Sequence, residues 1–124
     1  MFELTINGVV YQFHFGMGFM REINKKVGTP VDGLPDVKKN IGLQYHIAGL
    51  MDGDVEALVE ILEIANKGQN PRVTKALLDS HIDNADTDID ALFGDVLDFL
   101  KSANATKKTV QNLLEAIERQ KAAN

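Results

Sequence analysis

The chain has 124 residues, 44% hydrophobic and 25% charged, with no cysteine, no tryptophan and a net charge of −5. That length suits one domain over residues 1–124, and the missing cysteines exclude disulfides, thiolate zinc sites and cysteine nucleophiles. The acidic balance without a basic stripe argues against nucleic acid as a partner, and no apolar run nears the roughly 18 residues that cross a bilayer, so no membrane partner is expected.

The first fifteen residues predict a β-hairpin over 2–15. Asn7-Gly8 is the dipeptide a two-residue primed turn requires, because both central residues need a positive φ. Folding there sets Phe2 against Phe13, Leu4 against Tyr11 and Ile6 against Val9, all on one face of the ribbon. Glu3, Thr5, Val10, Gln12 and His14 take the other face. A two-stranded ribbon is marginal alone, so helices must cover its apolar side.

Met17, Met20, Ile23 and Val27 then recur at helical spacing, and Gly28 reads as the stop. Thr29–Pro35, with two prolines and a glycine, predicts a loop. A helix is expected from Asp36, with Val37, Ile41, Tyr45, Ala48 and Met51 along one face. Asp54 is a plausible cap for the next, which carries Val55, Leu58, Leu62 and Ala65. Asn70-Pro71 suggests a capping residue followed by proline at the first helical position, opening a short helix to about Ile82. Thr87 with Asp90 resembles a capping box before Ile89, Leu92, Phe93, Val96, Leu97, Phe99 and Leu100, read as the most apolar helix. Thr106 can cap a last helix holding Val110, Leu113, Leu114 and Ile117 and ending in the polar residues 118–124. The expected fold is α+β, an N-terminal β-hairpin packed against a bundle of five to six α-helices, with the helical region over 17–122.

No catalytic or metal constellation emerges. Asp86, Asp88 and Asp90 match the first, third and fifth positions of an EF-hand loop, but Ala91 and Leu97 stand where Gly and Glu are needed. An acidic first helical turn explains the cluster. His14, His46 and His81 are far apart in sequence and lack ligand spacing. Ser80 and Ser102 lack a nucleophile-elbow context. Gly16-Met17-Gly18 lacks the third glycine and the Lys-Ser/Thr of phosphate loops, and reads as a tight exit from the second strand. Met17, Phe19 and Met20 can form an adaptable binding surface, but core burial is the expected reading. No cofactor, metal site or catalytic residue is assigned.

The opening Thr5–Asn24, with Ile6-Asn7-Gly8, Tyr11, Phe13, Phe15, Gly16-Met17-Gly18 and Arg21-Glu22, resembles the start of tail assembly chaperones from long-tailed phages and prophages of Gram-positive bacteria. The segments Gly53–Asn66, Asn70–Thr74 and Asp90–Leu100 extend the similarity along most of the chain. The resemblance implies a non-enzymatic role: binding the long, helix-rich tape measure protein and keeping it soluble until tail tube protein polymerises around it. It also implies residence in the cytoplasm of the bacterial host, absence from the mature virion, and a longer product made by ribosomal frameshifting. The N-terminus, lacking a basic segment followed by an apolar stretch, predicts no secretory signal. The candidate partner-binding residues are Val110, Leu113, Leu114 and Ile117 of the last helix, whose simpler alternative is closing the core. The open strand edges leave room for a homo-oligomer. The alternative function is a structural tail or connector protein retained in the virion.

Overall fold

The computed structural model describes residues 1–123. Its N-terminal hairpin has the register that the turn and the apolar alternation dictate. β1 (Phe2–Ile6) pairs antiparallel with β2 (Val9–Phe13), Phe2 opposite Phe13 and Ile6 opposite Val9. Asn7 (φ 52°) and Gly8 (φ 78°) both occupy the left-handed region, as the primed turn requires. Phe2, Ile6, Tyr11 and Phe13 are buried and Leu4 is half-buried, whereas Val9 beside the turn is 41% exposed.

Gly16 precedes α1 (Met17–Asn24), which buries Phe19 and Ile23 and leaves Met20 half-buried and Met17 exposed. The next segment corrects the sequence expectation. Residues 29–35 are not a loop and no helix starts at Asp36. Instead β3 (Gly28–Val31) and β4 (Leu34–Asn40) form a second antiparallel hairpin, turning at Asp32-Gly33 with Gly33 at φ 78°. Asp-Gly is a hairpin turn signal of the same kind as Asn-Gly. Pro30 and Pro35 masked it, since proline removes a ladder donor. In a ribbon of two strands each strand is an edge, so the proline sides can face solvent.

α2 (Gly42–Met51) follows. It buries Leu43, His46, Ile47 and Leu50, and Tyr45 is 58% exposed, so the face expected from Val37, Ile41, Tyr45, Ala48 and Met51 is not the buried one. Val37 and Ile41 lie outside the helix; counted from Gly42, the i, i+3, i+4, i+7 pattern falls on Leu43, His46, Ile47 and Leu50. Gly42 lets α2 approach α1 closely, because a Cβ there would collide with the Ile23 carbonyl oxygen.

α3 (Val55–Ala65) is the central helix and carries the most buried residues, more than the helix expected to be most apolar. Asp54 caps it, its carboxylate accepting from the Glu56 N–H at 3.0 Å. On its outer face Glu60 pairs with Lys26 at 3.2 Å and Lys75 at 3.1 Å. α4 (Lys75–Asp83) starts later than Asn70-Pro71 suggested. That peptide bond is cis. The cap is Thr74, whose hydroxyl accepts from the Leu77 N–H at 3.1 Å, while the preceding Val73 N–H is held by Asn66 Oδ1 at 2.6 Å. α5 (Ile89–Ser102) is capped by Asp88 rather than by a Thr87–Asp90 box. The Thr87 hydroxyl donates instead to the His81 carbonyl at 2.6 Å.

α6 (Lys107–Ala123) completes the chain; of its expected polar end, Asn124 lies outside the described residues. Thr106 stands before the helix, but its buried hydroxyl donates to the Leu100 carbonyl at 2.6 Å, fastening the α5–α6 turn instead of capping a free N–H. The buried apolar side chains form a single cluster drawing on β1, β2 and all six helices, with none from β3 or β4. The fold is therefore α+β, with two small hairpins rather than one.

Candidate functional site

The four residues expected to bind a partner share one helix stripe, but the structure separates them. Val110 is 1% exposed and belongs to the core. Leu113 is half-buried and lines a shallow cleft against Gln44 of α2, together with Thr109, Asn112 and Ala116. Leu114 is 37% exposed and faces a groove of about 490 Å³ between α6 and the end of α5, bordered by Lys101, Lys107, Lys108 and Glu115. Ile117 is half-buried one turn beyond. From Gln111 to Ala123 no side chain is fully buried. The first member of the stripe closes the core, Leu113 packs against it half-buried, and Leu114 and Ile117 run out beyond the core cluster.

A second apolar cleft, of about 400 Å³, was not anticipated. It is lined by Met1, Phe2, Phe13, Phe15 and Met17, with Phe99 and residues 102–105 of the α5–α6 turn on its other side. Phe99 sits edge-on against Phe2 at a ring separation of 5.1 Å and is still 37% exposed; Met17 is 47% exposed. Flexible methionines around an aromatic floor adapt readily to apolar partners. Phe99 stands seven residues from the buried Leu92, the spacing of a core residue, so nothing in the helical pattern marks it as surface. Both clefts abut the α5–α6 turn.

A third cleft, of about 370 Å³, lies between β1 and the α4–α5 pair and is lined by Leu4, Thr5, Ile6 and Asn7 with Ser80, His81, Asp86, Asp88 and Asp95 among others. Its electrostatics are one-sided: Ala76–Leu100 contains seven aspartates and no lysine or arginine. Ser80 and His81 share this cleft, yet among the described residues no hydrogen bond joins their side chains. His46 is buried and its Nδ1 donates to the Gly42 carbonyl at 2.6 Å, a structural bond within α2. His14 is exposed at the rim of the methionine cleft. Among the described residues no group of three or more His, Cys, Asp or Glu side chains could hold a metal ion. No helix among them is long and apolar enough to cross a membrane. The arrangement offers apolar and charged surface for another macromolecule.

The sequence model of a protein family described as "Phage tail assembly chaperone protein, TAC" matches residues 3–115. Neither a curated protein nor a solved structure matches the chain.

Proposed function

The chain belongs to the phage tail assembly chaperone family, and from that premise we propose that it binds the tape measure protein and keeps it soluble during tail morphogenesis, without catalysing a reaction. The observation that carries this reading is the outer part of α6. Past the last fully buried residue, Val110, the apolar stripe continues through Leu113, which packs half-buried against the core, to Leu114 and Ile117 beyond the core cluster. A stripe of this kind suits the apolar face of a partner helix, which helix-in-groove recognition reads through anchors at i, i+3 and i+4 spacing. The methionine-rimmed cleft across the α5–α6 turn adds adaptable apolar surface. A net charge of −5 helps keep a protein with such patches dispersed.

In this reading the protein acts in the cytoplasm of the bacterial host, releases its client when tail tube protein assembles, and is absent from the finished virion. Co-expression with the tape measure protein tests it. The client should remain in the soluble fraction only when this chain is present, and equal solubility without it would end the proposal. The alternative, a structural tail or connector protein, is distinguished by its retention in purified particles.

A further inference from the structure

Charge is unevenly placed along this chain. Ala76–Leu100 holds seven aspartates and no lysine or arginine, whereas Lys101–Thr109, directly after it, holds three lysines and no acid. All three lysines border the groove that Leu114 faces, and the acid among its lining residues is Glu115, which accepts from Gln111 Nε2 at 3.2 Å. Lys101 meets Asp98 at 3.9 Å, but neither Lys107 nor Lys108 forms an ion pair among the described residues.

Lys107 and Lys108 occupy the first turn of α6, where the helix dipole already places positive charge and favours acidic side chains. That turn contains no acidic residue. The Thr106 hydroxyl is turned to the Leu100 carbonyl, and among the described residues the N–H groups of Lys108 and Thr109 donate to no protein acceptor. Two exposed cations and an uncapped helix end therefore reinforce one another at the rim of an apolar groove, in a chain whose net charge is −5. Nothing within the fold offsets this local positive charge, so the groove complements a partner that is apolar along one line and acidic beside it.

We propose that the groove takes a client helix whose apolar stripe is bordered by aspartate or glutamate, with aliphatic side chains against Leu114 and carboxylates against Lys107 and Lys108. Apolar contact alone accepts any amphipathic helix. Opposite charge at the rim selects among them and rejects helices bordered by lysine or arginine. This assignment rests on the tape-measure reading and adds to it the chemistry of the helices bound.

Fluorescence anisotropy of three synthetic helical peptides with the full chain is the test. The first carries leucines at i, i+3, i+4 and i+7 bordered by glutamates. The second borders the same leucines with lysines, and the third keeps the glutamates but replaces the leucines with serines. The first should bind about tenfold more tightly than either of the others, and its lead over the second should shrink as salt rises. Lys107→Glu/Lys108→Glu should reverse the preference between the first two. Its melting temperature should equal or exceed the wild-type value, since acidic residues suit the first turn of a helix, so the reversal is not a loss of folding. Equal binding of the first two peptides, a preference that the variant retains, or tight binding of the third overturns the proposal. So does a peptide affinity that weakens as protein concentration rises, which would put a second copy in the groove. Solubility of co-expressed tape measure protein is read separately. Solubilisation without peptide preference removes the groove assignment alone, whereas preference without solubilisation removes tape measure protein as the client and leaves the groove assignment standing.

Discussion

Asn66 Nδ2 donates to the Gln12 carbonyl at 2.8 Å, a contact across 54 positions of sequence that fastens the edge of the N-terminal hairpin to the end of α3. Asn66 is fully buried and uses both ends of its amide. Nδ2 also donates to the Pro71 carbonyl at 3.3 Å, while Oδ1 accepts from the Val73 N–H at 2.6 Å and from Arg72 at 2.8 Å. One side chain thus joins β2, α3 and the segment leading to α4.

Asn66→Asp is the sharpest test of that junction. Aspartate keeps the shape and the acceptor, but it cannot donate to Gln12 or Pro71 and adds a buried charge facing two carbonyls. A loss of about 3 kcal/mol is expected, measured by urea denaturation at neutral pH. A change within about 0.5 kcal/mol, as at ordinary surface positions, would show that the junction contributes little.

Gly42→Ala should destabilise the protein although alanine is the better helix former by about 1 kcal/mol. The added Cβ meets the backbone oxygen of Ile23, which cannot swing away as a side chain would. Separating α1 from α2 should cost about 1–3 kcal/mol net, visible as a lower melting temperature. A raised one would mean that the two helices slide apart freely.

Glu60 makes stability pH-dependent. Burial alone would raise its pKa, but the hydrogen bonds and charges of Lys75 and Lys26 together outweigh burial and hold it below the ordinary glutamate value. A carboxylate held low in the folded state stabilises that state above the unfolded-chain pKa of about 4.3. The contribution is lost as pH falls through the lowered folded value. Lys75 is largely solvent-exposed, so about 0.5 kcal/mol is at stake. Glu60→Gln should flatten the acid limb of the stability–pH curve by that amount, and an unchanged limb would place the acid sensitivity elsewhere.

Leu114→Asp separates binding from folding. The side chain is 37% exposed on the outer part of α6, so unfolding free energy should move by no more than about 0.5 kcal/mol. Solubilisation of co-expressed tape measure protein should fall sharply. Val110→Ala, by contrast, should cost about 2 kcal/mol in stability through the cavity it leaves. If Leu114→Asp solubilises the client as well as wild type does, the α6 stripe is not the binding surface.

The first hairpin was legible because three local signals coincide: a turn dipeptide that demands positive φ, strict alternation, and aromatic pairs in one register. The second offered only the turn. β4 is exposed throughout and β3 is only half-buried at Thr29 and Val31, so Val31, Leu34 and Val37 mark no buried face, and Pro30 and Pro35 pointed to a loop. Mistaking that segment also misplaced the face of α2, since Val37 and Ile41 were counted into a helix that begins at Gly42. Expected caps failed where a carbonyl six residues earlier took the hydroxyl instead, as with Thr87, which donates to His81, and Thr106, which donates to Leu100.

By itself the sequence determined the α+β class, the N-terminal register, the existence of the helices and the resemblance to tail assembly chaperones, all properties of neighbouring residues and their periodicity. Tertiary structure alone decided which members of an apolar stripe are spent on the core. Val110, Leu113, Leu114 and Ile117 share a helical pattern, yet burial depends on what another element places opposite each of them. It also decided that the edge of β2 is closed, because the closing groups, Ala65 and Asn66, come from the far end of α3.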